Sequence, residues 1–168
     1  MAWVKSEYAG ELAVLSTWLV AVAPWSVSVF GNGPVTGVVF RFLPFQTLYL
    51  YGLSVPNELS FLWTWQVTEL QQGDNAALAG SLWTAALALF AVAFAASVYY
   101  YAREAAFEDR LPLDPVRLFG GLLGLVGLCT LAGTVLLNLD GGFPGTTIPV
   151  GALVAPALAV ALLTADVT

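Results

Sequence analysis

Residues 76–101 and 118–138 contain no Lys, Arg, Asp or Glu. At about 1.5 Å of rise per helical residue, each stretch is long enough to cross the roughly 30 Å hydrocarbon layer of a bilayer. Between them lies the polar segment 102–117, AREAAFEDRLPLDPVR, with Arg103, Arg110 and Arg117. These are three of the five basic residues in the chain. Basic residues next to membrane spans stay on the cytoplasmic side. The pattern therefore predicts a membrane protein whose 102–117 loop is cytoplasmic.

Composition agrees. Hydrophobic residues make up 59% of the 168 and charged residues 10%, against about a quarter charged in soluble domains. The net charge of −6 argues against nucleic acid, whose phosphates require a basic face. There is no histidine and a single cysteine, Cys129. Ser-His-Asp and Cys-His machinery is thereby excluded, and zinc, copper and haem sites lose their usual ligands. No catalytic, metal or cofactor-binding residue is expected, and no cofactor.

The rest of the chain completes a four-span reading. Residues 12–30 form an apolar first span with a kink at Pro24, and 148–165 a last one, bent at Pro156. The expected fold is an all-α integral membrane domain over 1–168. Its four transmembrane helices lie near 12–30, 76–101, 118–138 and 148–165. An extracytoplasmic aromatic segment, 31–75, falls between helices 1 and 2. Gly31-Asn32-Gly33-Pro34 marks a turn in it. Residues 35–51 then fit two short strands bent at Pro44, a hairpin on the outer surface, with a fifth span as the alternative. Residues 54–72 read as an amphipathic helix with Ser54 as cap, Glu58 in its first turn, and Trp63 and Trp65 at headgroup level. The four-span count leaves Lys5, Arg103, Arg110 and Arg117 inside with both termini, and Arg41 alone outside.

Two features invite a function. Arg41 is a lone cation in an aromatic setting, suited to an anion, a lipid headgroup phosphate or a partner carboxylate. The competing reading pairs it with Glu58 or Glu69, or lets it snorkel. Gly120, Gly124 and Gly127 fall on one side of the 118–138 helix, a seam of small residues where another helix can approach closely. The paired apolar spans carry no ionisable residue, as a proton or ion pathway would. The chain therefore reads as a non-catalytic membrane scaffold or assembly subunit. Its contacts would be lipids, another membrane protein or a second copy, and not nucleic acid. A small-solute or lipid transporter built by oligomerisation through the glycine seam is the alternative.

Three strings carry a resemblance: Trp3-Val4-Lys5-Ser6-Glu7-Tyr8-Ala9-Gly10-Glu11-Leu12, Ala23-Pro24-Trp25-Ser26, and Asp114-Pro115-Val116-Arg117 ahead of Gly120-Gly121-Leu122-Leu123. With them the chain resembles a family of small multi-pass membrane proteins of haloarchaea to which no activity is assigned. The resemblance implies a multi-pass location in the cell membrane and a halophilic source, and carries over no catalytic residue.

Overall fold

The computed structural model describes residues 8–32, 35–52, 60–70, 73–110 and 113–165. In chain order these form α1 (Ala9–Val22), β1 (Ser26–Asn32), β2 (Val35–Arg41), β3 (Phe45–Tyr51), β4 (Ser60–Trp63), α2 (Thr64–Leu70), α3 (Asp74–Ala102), α4 (Glu104–Glu108), α5 (Pro115–Leu137), β5 (Thr146–Pro149) and α6 (Gly151–Leu163). The expected all-α, four-span architecture is thus incorrect. The fold is mixed α/β, with a five-stranded antiparallel sheet in the order β4-β3-β2-β1-β5. Two of its helices, α3 and α5, are long and apolar enough to cross a membrane.

The first expected span fails at Pro24. A residue before proline is pushed into extended backbone, and Ala23 is extended, with φ −73° and ψ 138°. The helix ends at Val22. The next residues, Ser26-Val27-Ser28-Val29-Phe30, alternate with period two, which suits a strand and makes β1. The last expected span is shortened in the same way. Thr146–Pro149 pairs with β1 as an edge strand, where proline is tolerated, and the helix begins only at Gly151. The segment around Pro44 does form a hairpin, as β2 and β3, within a sheet larger than expected. The helix expected over 54–72 is only α2, preceded by the strand β4; Ser54, Pro56 and Glu58 lie outside the described residues.

α1, α3, α5 and α6 pack as an antiparallel bundle with the sheet at one end. Its core includes Phe119, Leu123 and Val126, each 0% exposed. The far end carries α4, whose Phe107 packs edge-on to Tyr100 at 5.3 Å and stacks on Phe119 at 6.3 Å. Asp114 caps α5 there, accepting from the amides of Val116 at 2.8 Å and Arg117 at 3.3 Å, with Pro115 in the first turn. Tyr100 is 6% exposed and donates to Glu104 at 2.9 Å.

At the sheet end, backbone groups left over by the helices are taken up by the strands and their connections. The amides of Val150 and Ala152 donate to the Trp25 carbonyl at 3.0 and 3.2 Å, and that of Gly151 to Pro24 at 2.9 Å. Asn138, just past α5, brackets β5. Its Nδ2 donates to the carbonyls of Thr134 and Thr147, and its Oδ1 accepts from the Thr147 amide, each at 2.9 Å. Asn138→Ala removes all three bonds and is expected to lower stability by about 1–3 kcal/mol, read by denaturation of the purified protein. A loss no larger than that of an exposed-site control such as Thr36→Ala would show the bracket to be dispensable.

Candidate functional site

Strand alternation decides which side chains meet the bundle. On β2, Gly37, Val39 and Arg41 are buried while Thr36 is exposed. The register sets Ser26 opposite Arg41 and Ser28 opposite Val39 on the same inner face, with Thr147 of β5 opposite Ser28. Arg41 is therefore driven inward by its position in the strand and is only 6% exposed. Its backbone is fixed as well, because the Trp25 amide donates to its carbonyl at 2.7 Å.

The guanidinium is held on two sides. Nη1 donates to Ser28 Oγ, which shares a 2.7 Å hydrogen bond with Thr147 Oγ1. Its carbon lies 4.8 Å from the centre of the Phe143 ring, a cation–π contact. Nε is buried without a partner. Among the described residues no carboxylate reaches Arg41; the alternatives of Glu58 and the Glu69 side chain lie outside them. Burial pulls the Arg41 pKa down to about 10. That corresponds to about 3 kcal/mol against the charged form, yet the group stays a cation at neutral pH.

Arg41 opens onto a cavity of about 20 Å³ at the junction of sheet and bundle. Phe42, Phe45 and Gln46 line it from the β2–β3 hairpin, Thr64 and Val67 from α2, Ala79, Gly80 and Trp83 from α3, and Leu137 from α5. The hairpin is seated by the Thr64 amide, which donates to the Pro44 carbonyl at 3.0 Å, and by Thr64 Oγ1 on the Leu43 carbonyl. Trp83 is 5% exposed, and its indole N–H is also buried without a partner. Two unpartnered donors, one on a cation, thus belong to residues lining one small space. Unsatisfied buried donors are uncommon in native proteins.

Of the residues singled out in the sequence, Arg41 lies at this junction and the glycines do not. Gly120, Gly124 and Gly127 face α6 inside the chain. A Cβ on Gly120 would lie 3.1 Å from Leu162 Cβ, one on Gly124 3.5 Å from Ala159 Cβ, and one on Gly127 2.6 Å from the Pro156 ring. Ser28, Thr147, Phe143 and Trp83 were missed as companions of Arg41. The alternation Ser26-Val27-Ser28-Val29 was a signal for the first of them; nothing in the sequence points Trp83 towards Arg41.

A glycine in the seam and one outside it should behave differently. Gly127→Leu should destabilise by about 1–3 kcal/mol through overpacking. Gly121→Leu, with nothing within 4 Å of the added Cβ, should stay within about 0.5 kcal/mol. Equal effects in thermal unfolding would contradict the α5–α6 packing.

No curated protein matches the chain. A family model described as a family of unknown function, DUF7549, matches residues 2–167. The match covers nearly the whole sequence and so takes in the Arg41 junction, the glycine seam and every element of the bundle and sheet: the chain belongs to the DUF7549 family of unknown function.

Proposed function

We propose that this is a non-catalytic integral membrane protein that acts through protein or lipid contacts. α3 and α5 cross the bilayer, the shorter apolar helices α1 and α6 pack beside them in the apolar layer, and the sheet lies at one surface. The observation that carries this reading is how little of the long helices the protein itself covers. In their most apolar stretches only 33% of α3 and 44% of α5 is buried. A core helix of a water-soluble protein that is apolar all round is covered by its neighbours. Here Val92 and Val98 of α3 and Leu125, Leu128 and Val135 of α5 are exposed, as are Leu15 and Leu19 of α1 and Leu153 and Val160 of α6. Lipid removes such faces from water.

The multi-pass orientation follows from charge. Arg103, Arg110 and Arg117 lie at the end of the bundle away from the sheet, which the basic-residue rule makes cytoplasmic. α1 starts at that end, with Gly10 against Tyr100, and α6 finishes there, with Leu162 and Leu163 against Gly120. Both termini are accordingly assigned to the cytoplasm. The sheet then lies at the extracytoplasmic surface with an uncovered apolar outer face. Val29, Tyr51, Phe61, Trp63 and Ile148 are exposed on it, and Trp63 stacks on the exposed Trp65 at 5.1 Å. That face supports the scaffold or assembly role. The net charge of −6 is in keeping with the halophilic source implied by the resemblance, since a high net charge keeps a protein soluble while repelling itself.

An alkaline carbonate wash of isolated membranes tests the location: the protein should stay in the pellet, and release into the supernatant would refute the reading. Orientation is tested after Cys129→Ser removes the one cysteine. A cysteine at Thr36 should react with an impermeant maleimide on intact cells, and one at Asp109 only after lysis. The opposite labelling would reverse the topology.

A further inference from the structure

The Arg41 junction has the chemistry of a binding site for a single small anion. Arg41 is charged, 6% exposed and held in place by Ser28, Thr147 and Phe143. Its Nε and the Trp83 indole N–H are both buried donors with no acceptor among the described residues, and both residues line the same cavity. A buried charge is normally paired, since taking it out of water alone costs far more than burying a neutral group.

One source of negative partial charge is the C-terminal end of α5, whose Leu137 lines the cavity. Its last carbonyls are already taken. Thr134 accepts from Asn138 Nδ2 at 2.9 Å, Val135 from the Asn138 amide at 3.0 Å, Leu136 from the Leu139 amide at 3.2 Å and Leu137 from the Phe143 amide at 2.8 Å. None of these carbonyls accepts from Arg41 Nε. Among the described residues, no acceptor with a negative charge lines the cavity.

Size selects among anions. A space of about 20 Å³ exceeds the roughly 10–15 Å³ that holds one water, which suits an ion of a single atom. Most of the remaining wall is apolar: Phe42, Phe45, Val67, Ala79 and Leu137. Such a wall favours a weakly hydrated monatomic ion over one that carries its own shell of acceptors. We propose that the junction binds one halide-sized anion, chloride or bromide, between the Arg41 guanidinium and the Trp83 indole N–H. The ion neutralises Arg41 and ties β2, α2, α3 and α5 together.

The test uses the full chain purified in uncharged detergent, with sodium gluconate as the reference salt. Thermal unfolding is followed on replacing gluconate by chloride, bromide, sulfate or phosphate at equal ionic strength, and chloride binding is followed directly by ³⁵Cl line broadening. The expected result is a higher Tm in chloride and bromide only, with broadening that bromide competes away. Arg41→Met should abolish both effects and should be no less stable than the parent in gluconate, where the parent's charge is unpaired. Trp83→Phe keeps the ring and removes the N–H, and should weaken chloride binding about tenfold, the worth of one hydrogen bond to a charged group; it serves also if Arg41→Met does not fold.

Equal Tm in all five salts with no broadening would mean that water alone fills the cavity, and would overturn the proposal. Broadening that survives in both variants would place the ion elsewhere. A preference for phosphate would make this an oxyanion or headgroup site and refute the size argument. Chloride binding that emerges only when Glu58 and Glu69 are both changed to Gln would show that a carboxylate of the chain occupies the position, and would equally refute it. Because the assay is run in detergent, its failure leaves the carbonate and labelling results untouched.

Discussion

The fold depends on three amides finding two carbonyls. The N-terminus of α6 has no side-chain cap, and its first residues, Gly151 and Ala152, are buried. Unpaired N–H groups there would each carry a desolvation penalty of about 1–3 kcal/mol. Pro24 and Trp25 supply the missing acceptors, and they can do so because Pro24 has already stopped α1 and turned the chain into β1. A Cβ on Gly151 would lie 2.9 Å from the Pro24 carbonyl oxygen, so only a glycine lets the two segments come this close. One proline thus ends a helix, starts a sheet and presents the carbonyls on which the last helix begins.

From that junction the position of Arg41 follows with little freedom left. β1 starts at Ser26, its pairing fixes Arg41 opposite Ser26, and strand alternation then sends Arg41 to the inner face with Ser28. The inner face abuts the bundle, so the cation is buried by register and not by any attraction of its own. A one-residue slip would place Arg41 on the outer face and Phe40 within. That the register holds despite the desolvation of Arg41 shows how strongly the apolar and glycine positions on this face, Val39 and Gly37, specify it. Phe30 reinforces the choice, since its ring covers Gly37 and meets Phe143 edge-on at 5.5 Å.

The long helices were legible because their apolar runs are uninterrupted: 76–101 and 118–138 lie within α3 and within α5 plus its capping Asn138. Hairpin β2–β3 was legible from Pro44 and its β-branched flanks. β1 and β5 were not, for one shared reason. Both lie next to an apolar helix, β1 after α1 and β5 before α6, so hydropathy merges strand and helix into a single run. The only local marks were the period-two hydroxyls of β1 and the proline in each run, Pro24 and Pro149, read as kinks or passed over. At the site, Arg41 stood out as a lone cation. Its partners could not be seen, because Ser28 and Thr147 are 119 residues apart and meet only through a β1–β5 pairing that no local pattern announces.

The two halves of the molecule pose different solvent problems, and Arg41 sits where they meet. The bundle's outer surface is apolar, while the sheet's edge connections carry the hydrogen-bonding groups that the helix ends leave behind. A cation buried at that boundary touches both: its strand belongs to the sheet, and its cavity is walled by α2, α3 and α5. With its charge unpaired it weakens the attachment, because separating sheet from bundle would return the guanidinium to water. With its charge neutralised the same residue strengthens the attachment, because separation would also lose the ion. The sign of its contribution to holding the sheet on the bundle therefore depends on what occupies about 20 Å³.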